Sequence, residues 1–343
     1  MDKEIIQLKK NVYFFFVCII SFLYISLYIS IPNEILRDRA NYILYATNFD
    51  SISQMRSGSF EYYFNEPLFL KINSLLSFFF SPEQIPFVFV FFNTLILMFL
   101  LAKKSRNVVL YILGLLSIIF IPYIFQGQLT ALRQALATSL FLLAFYSLND
   151  NKKVFFITLI CSFIHSVFFL VSFFYLLNFI LFKNRSFNFK MIVNFLLMLF
   201  ISLSFFVISN SFGLRQGEVY SEEPSQVGGG SFVLFVIIFI VMYFNYKKFQ
   251  DNSTYFIAMI GMTLFLTGYF LTPLSGRLFN TFFPFFILFL VSYSRKLNYS
   301  LLVSLTAIYS ILYFYGSYND IMLYDYQSFS ELLLDIKWLG NWI

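Results

Sequence analysis

The chain has 343 residues, of which 59% are hydrophobic, 23% aromatic and only 12% charged, and its formal net charge is +6 at pH 7. Its mean hydropathy of +0.78 excludes a soluble globular domain. The basic residues occur in short clusters between apolar runs, a pattern typical of membrane-topology determinants rather than of a nucleic-acid-binding face. The sequence therefore predicts an all-α, polytopic integral membrane protein with no nucleic acid among its partners.

Runs of about 20 apolar residues mark the predicted transmembrane helices, because a helix of that length crosses the hydrocarbon core. In chain order they are 11–31, 84–102, 108–125, 129–148, 191–209, 231–246, 254–272, 278–294 and 299–316. The apolar run 67–80 is too short for a span and predicts a re-entrant or interfacial helix. The run 154–182 is long for one span and short for two, so we predict a pair of short helices broken near His165.

The basic clusters predict the orientation of these spans. With the N-terminus in the cytoplasm, the lysine pairs and most other basic residues fall on the cytoplasmic side, as the positive-inside rule requires. The same topology leaves a group of arginines on the outer side, against that rule: Arg37, Arg39, Arg133, Arg215 and Arg277. Arginines placed against the topological trend indicate a function.

The central segment from Gln128 to His165 places Arg133 and Gln134 at the head of an apolar span and the chain's only histidine on the return. Placing a guanidinium near hydrocarbon costs roughly 2.5 to 3.5 kcal/mol, so we expect Arg133 to face the bundle interior or a wet cavity. An arginine that snorkels to the interface is the alternative. One helical stripe of small and polar residues would allow another helix to approach closely: Thr130, Arg133, Gln134, Ala137 and Thr138.

Polar outer segments supply further candidates. In the outer loop 32–66, Asp38, Tyr42 and Tyr45 share a face if the stretch is helical. Tyrosines among carboxylates and amides suit a polyhydroxylated ligand such as a sugar, whereas an aromatic belt at the membrane interface is the alternative reading. At the C-terminus, residues 328–343 predict an amphipathic helix on the outer leaflet.

A second outer loop, 210–230, contains Arg215 and Glu222 and predicts either a functional lid or a disordered connection. The turn TPLSGR at the end of the predicted span 254–272 places Arg277 at a helix start on the outer side. No soluble domain is expected, so residues 1–343 are predicted to form a single transmembrane domain.

One central block, LRQALATSLFLLAFYSLNDNKKVFFITLICSFIHS, resembles the EpsG-like branch of Wzy-type polymerases, which join repeat units of bacterial O antigens, capsules and exopolysaccharides. Further matches are spread along the chain: Asp38 with Tyr42, Glu66 with Pro67 and Phe69, Arg277, and Tyr324, Tyr326 and Ser328, with Asp325 where a proline is common. The resemblance implies a GT-C-like fold of about 9 to 11 transmembrane helices. It also implies a bacterial inner-membrane location with the active site facing outward.

The resemblance implies a substrate and a reaction as well. A sugar hydroxyl of one undecaprenyl pyrophosphate-linked oligosaccharide attacks the anomeric carbon of the growing chain, and undecaprenyl pyrophosphate leaves through an oxocarbenium-like state. Guanidinium groups suit the charge that the leaving pyrophosphate gains. We expect Arg133 and Arg277 to bind pyrophosphate, with Arg215 as a movable third contact. The other expected substrate-binding residues are Gln134, Tyr42, Tyr45 and Glu66.

Three residues remain open as the base for the attacking hydroxyl: His165, Asp38 and Glu222. No metal is expected, because the chain has one histidine, both cysteines lie in predicted spans, and no acidic pair has a ligand spacing. No glycine-rich phosphate loop follows a strand, so neither a nucleotide-sugar donor nor a cofactor is expected. Membrane lipid and, from the resemblance, a chain-length-regulating co-polymerase are the expected partners.

Other functions share this hydropathy. A transporter or flippase of lipid-linked sugars is one, although ion coupling usually requires carboxylates near the span centres, and these spans contain none. A lipid-linked glycan ligase or an acyltransferase would use the same outer arginines and histidine. A purely structural role is the last alternative, and the cluster of outer arginines argues against it.

Overall fold

A computed structural model describes residues 2–56, 65–211, 228–250 and 252–316. Within these ranges every regular element is helical, which confirms the all-α class. Among the described residues, five helices have the length and apolar composition of a membrane span, and a bent pair of helices gives a sixth if it is counted as one span. The chain is therefore a polytopic membrane protein, whereas the side on which its N-terminus lies and the GT-C likeness stay predictions.

The described helices follow one another along the chain. In chain order they are α1 (Asp2–Ile29), α2 (Arg39–Thr47), α3 (Phe49–Arg56), α4 (Pro67–Leu76), α5 (Ile85–Lys104), α6 (Val108–Phe120), α7 (Pro122–Leu129), α8 (Leu132–Ser147), α9 (Asn151–Cys161), α10 (Phe168–Tyr175), α11 (Phe187–Ser211), α12 (Gly230–Phe244), α13 (Ser253–Gly268), α14 (Leu274–Ser292) and α15 (Lys296–Phe314). A π-helical segment, Leu176–Leu181, continues α10.

The chain forms two compact units, and each is built from separate stretches of sequence. The first unit comprises the described residues of Met1–Phe49, Ile72–Leu136 and Leu290–Ile343. The second comprises those of Asp50–Lys71 and Ala137–Phe289. The prediction of a single transmembrane domain over 1–343 stays a prediction.

In the first unit, α1 packs against α5 and α6 packs against α15. A small residue allows a close approach, since a Cβ added at Gly114 would lie 2.7 Å from side-chain carbons of Leu101 and Val291. The hydroxyls of Ser117 and Thr306 hydrogen-bond at 2.9 Å. Small residues and interhelical hydrogen bonds are the usual means by which membrane helices associate, because lipid tails are as apolar as the helices.

The predicted span 108–125 is not one straight helix. The chain bends by 69° between α6 and α7, at Ile121, whose backbone is extended (φ −89°, ψ 117°). Pro122 explains the bend, because proline has no N–H to donate and disfavours helical geometry in the residue before it. A second difference follows nearby, since Thr130 ends α7 and so does not belong to the polar stripe predicted along α8.

In the second unit, the predicted break near His165 is confirmed. Helix α9 ends at Cys161, α10 begins at Phe168, and the two short helices pack against each other. The run 67–80 also contains a helix too short for a span, α4. Helices α13 and α14 approach closely at Gly261, where an added Cβ would overlap the Cβ of Phe282.

Candidate functional site

In the first unit, Arg133 lies against two tyrosines of α2. It is the second residue of α8, an alanine- and leucine-rich helix of strong intrinsic propensity. Its guanidinium carbon lies 5.8 Å from the ring centroid of Tyr42 and 5.2 Å from that of Tyr45. Both distances are within the range of cation–π attraction. The half-buried Arg133 thus lies at a helix start against two aromatic faces.

The two tyrosines share one face of α2 because they are three residues apart. Tyr42 is buried, whereas Tyr45 is half-buried. Burial raises the pKa of the Tyr42 phenol, and the charge and hydrogen bonds of Arg133 act in the opposite direction. The phenol is therefore neutral at pH 7 and can both donate and accept a hydrogen bond.

Asp38 precedes the same helix as its exposed N-cap, with φ 66°. Its carboxylate accepts a hydrogen bond from the Asn41 side chain at 3.4 Å. The structure thus brings Tyr42 and Tyr45 to Arg133 and leaves Asp38 at the surface. Gln134, next to Arg133 in the chain, is buried.

Arg39 is fully buried at the first position of α2. Its Nε donates to the carbonyl of Leu129 at 2.6 Å, and its Nη1 donates to Oδ1 of Asn33 at 2.9 Å. Burial lowers the pKa of the guanidinium to about 9, and nearby Tyr42 acts against this shift. The group therefore remains charged at neutral pH.

In the second unit, His165 lies beside Glu66. Its Nε2 is 4.0 Å from Oε1 of Glu66, and both side chains are almost entirely buried. The same carboxylate oxygen accepts the backbone N–H of Ser166 at 3.4 Å. The carbonyl of Phe163 in turn accepts the backbone N–H of Leu68 at 2.9 Å. The start of α4 is therefore docked on the break between α9 and α10.

The backbone of Glu66 is itself unusual. Its φ of 61° lies in the left-handed region, which residues other than glycine rarely adopt. Such conformations cost of order 1 to 3 kcal/mol and cluster at functional sites. The carboxylate lies 4.0 Å from the imidazole Nε2, where its negative charge favours the protonated form of the ring.

Arg277 lies in the first turn of α14, also in the second unit, and is half-buried. The turn before it is closed by Thr272, whose hydroxyl accepts the N–H of Leu274 at 3.3 Å. Backbone N–H groups at a helix start favour anions, and a guanidinium in that turn adds a full positive charge. The predicted helix start at Arg277 is confirmed.

A comparison of the whole sequence with protein families gives a match that covers most of the chain. The model of the EpsG family matches residues 15–328. This chain belongs to the EpsG family. No curated protein and no solved structure shows significant similarity to it. The family resemblance expected from the central block is therefore confirmed, and membership indicates a polysaccharide-polymerase-like, glycosyltransferase-like function.

Several predictions for this EpsG family protein are not tested by the described residues. Arg215, Glu222 and most of the loop 210–230 lie outside them, as does the predicted helix 328–343. Within the described ranges, no group of three or more histidine, cysteine, aspartate or glutamate side chains could hold a metal ion.

Sequence reasoning missed two features of this EpsG family protein. Arg39 was recognised only as one of the outer arginines, although it is the fully buried one. Glu66 was expected to bind substrate, and its position beside His165 was not expected. No local signal indicated this position, because the residue before a proline is biased towards extended backbone, whereas Glu66 is left-handed.

Proposed function

We propose that this EpsG family protein polymerises undecaprenyl pyrophosphate-linked oligosaccharide repeat units at the outer face of the bacterial inner membrane. The product would be an O antigen, a capsule or an exopolysaccharide. The observation that supports this most directly is Arg133, a cation held at a helix start against the rings of Tyr42 and Tyr45. This arrangement suits a ligand that combines a pyrophosphate with a sugar.

Arg133 is proposed to bind the leaving pyrophosphate. Its guanidinium offers a planar fork of donors to phosphate oxygens, and partial burial strengthens the attraction. Tyr45 is only half-buried, so its ring can pack on a sugar while the Tyr42 hydroxyl hydrogen-bonds with it. Arg277, in the first turn of α14, is proposed as a further phosphate contact, and Arg215 and Gln134 as additional substrate contacts.

His165 is the proposed base. As the attacking hydroxyl oxygen bonds to the anomeric carbon, the bond from that carbon to the pyrophosphate oxygen breaks and its electron pair leaves with the pyrophosphate. The hydroxyl proton passes to the imidazole, whose protonated form is favoured by the carboxylate of Glu66 at 4.0 Å. Asp38 suits this role less well, because its carboxylate lies exposed at the protein surface.

Complementation of a host strain that lacks the gene tests the proposal. Surface glycan is resolved on a gel for wild type, Arg133→Ala, Arg133→Lys, Arg277→Ala and His165→Ala, with protein levels matched by immunoblot. Arg37→Ala is the matched control, because this exposed arginine lies near the same helix but outside the proposed site.

We expect the deletion strain to show acceptors with one repeat unit, and only wild type and Arg37→Ala to restore the full ladder of lengths. Lysine at position 133 keeps the charge but not the fork, so partial restoration is expected. If the deletion strain lacks even the single unit, with repeat units stranded in the cytoplasm, the protein acts in export or earlier. Single additions without chain growth by the purified protein would indicate a ligase or an acyltransferase instead.

The proposed partners are the lipid-linked oligosaccharide, membrane lipid and a chain-length-regulating co-polymerase. The co-polymerase is proposed from the family alone. A narrowed ladder on co-expression of such a protein, with unchanged total glycan, would support this partner. An unchanged ladder would contradict it.

A further inference from the structure

Arg39 is a buried cation without a counter-ion among the described residues. Its side chain is fully inaccessible, and its guanidinium carbon lies 5.8 Å from the centroid of the Phe87 ring. In the part of the chain that the structure describes, it forms no ion pair, and its Nη2 has no hydrogen-bond partner. Burial of an unpaired charge is unfavourable, and an apolar side chain would fill the same volume without this cost.

The acceptors of Arg39 explain why a guanidinium is found there. The Leu129 carbonyl belongs to the last residue of α7, where carbonyl groups lack partners within the helix and the helix end is electronegative. The second acceptor is the side-chain Oδ1 of Asn33, a residue that precedes α2. The Nδ2 of the same side chain donates to the backbone carbonyl of Glu83 at 2.8 Å. Arg39 thus connects three chain segments of the first unit, all through neutral acceptors.

These connections lie close along the chain to the residues that contact each other at the candidate site. Tyr42 and Tyr45 follow Arg39 by three and six residues on α2, and Arg133 follows Leu129 by four residues. A shift of α2 relative to the end of α7 would therefore change the distances between the two rings and the Arg133 guanidinium.

We infer that Arg39 is a positioning residue, which holds the tyrosine helix α2 against the end of α7 so that Tyr42 and Tyr45 face Arg133. It is not proposed to touch the substrate, because it is completely inaccessible and its Nε and Nη1 donate to Leu129 and Asn33. Only its effect on catalysis rests on the proposed function. The structural part can be tested without any substrate.

Arg39→Lys is the most informative variant. A lysine ammonium keeps the positive charge but lacks the planar fork of donors with which the guanidinium reaches two acceptors. Arg37→Lys is the matched control, because Arg37 is exposed two residues away. The mobility of α2 is measured by electron paramagnetic resonance, from the line shape of a nitroxide label. The label is attached to the cysteine of a Leu44→Cys variant, because Leu44 is exposed on that helix. Cys18 and Cys161 are replaced beforehand in all samples.

We expect Arg39→Lys to mobilise the label and Arg37→Lys to leave it unchanged, at unfolding temperatures that show both variants folded. An unchanged line shape in Arg39→Lys would overturn the inference. Arg39→Met, measured in the same way, provides a second variant if Arg39→Lys does not fold.

The catalytic part is tested by a double-mutant cycle on glycan polymerisation. Arg39→Lys should lower polymer yield by up to about 100-fold, the loss typical of a misplacement by 1 Å. In an Arg133→Lys background the additional loss should be much smaller, because both changes affect one contact. Full additivity would overturn the positioning role. A mobile label with normal polymerisation in every Arg133 variant would instead contradict the proposed function and leave Arg39 as the residue that fixes α2.

Discussion

Glu66 offers a test that separates stability from activity. Its backbone is left-handed, and its carboxylate lies 4.0 Å from His165 Nε2. Two substitutions separate the effect of the backbone conformation from that of the charge. Glu66→Gln keeps the strained backbone and removes the charge, whereas Glu66→Gly removes the charge and relieves the backbone. If the carboxylate serves the histidine, both variants should lose activity, while their stabilities should change little.

The expected magnitudes follow from the contacts. A left-handed residue with a side chain costs roughly 1 to 2 kcal/mol, which glycine would recover. Glycine loses about 0.5 to 1 kcal/mol through its larger unfolded-state entropy, so the net change for Glu66→Gly is small. In the wild-type protein the Ser166 N–H donates to Oε1 of Glu66 at 3.4 Å. The glutamine of Glu66→Gln can still accept this hydrogen bond. Two unit charges 4 Å apart attract by about 4 kcal/mol near a protein surface, so losing about half of that attraction should lower activity by about 10- to 100-fold in both variants.

Two measurements on the same purified protein decide the outcome. The first is thermal unfolding in detergent, and the second is the release of undecaprenyl pyrophosphate from lipid-linked repeat units. Unchanged release by Glu66→Gly, at wild-type stability, would refute the role of the carboxylate. Loss of release in Glu66→Gly with full activity in Glu66→Gln would show that the backbone conformation matters and the charge does not.

Three stability predictions concern the helix packing. Gly261→Ala should lower stability by about 1 to 3 kcal/mol, because the added methyl group overlaps Phe282; an unchanged unfolding temperature would contradict this close approach. The amides of Asn178 and Asn194 exchange hydrogen bonds of 2.8 and 3.0 Å, so either single change to leucine should cost about 1 to 3 kcal/mol, and the double change should cost less than their sum in denaturant unfolding. Pro122→Ala should lower stability by about 0.4 to 1 kcal/mol through unfolded-state entropy, and a rise in unfolding temperature would argue that the bend is strained.

Much of the fold could be predicted from the sequence, because hydropathy and length constrain membrane helices strongly. The break near His165 followed from a run too long for one span and too short for two, and α9 and α10 confirm it. The bend before Pro122 was missed, because hydropathy alone treats residues 108–125 as one apolar run. The proline was visible, but its effect depends on whether neighbouring helices accommodate the freed backbone groups.

The candidate site was less predictable, because burial in a membrane protein depends on tertiary contacts. Arg37 and Arg39 are two residues apart and look alike in the sequence, yet the first is exposed and the second is fully inaccessible. Arg133 and the tyrosines of α2 could be predicted as candidates from residue type and spacing. Their contact could not be predicted, since nothing local relates α2 to α8. The same holds for Glu66 and His165, which are far apart in the chain.

The partners of the ionisable residues indicate how the two units differ chemically. In the first unit, Arg39 is neutralised by no carboxylate among the described residues, and its acceptors are a carbonyl and an amide. Its charge therefore adds to the positive potential around Arg133, which favours an anionic ligand. In the second unit, the histidine has an acidic neighbour, which favours uptake of a proton. A carboxylate introduced beside Arg39 would weaken anion binding in the first unit without changing the base, so Asn33→Asp should raise the Kd for undecaprenyl pyrophosphate. A lowered or unchanged Kd would show that the potential of Arg39 does not reach the ligand.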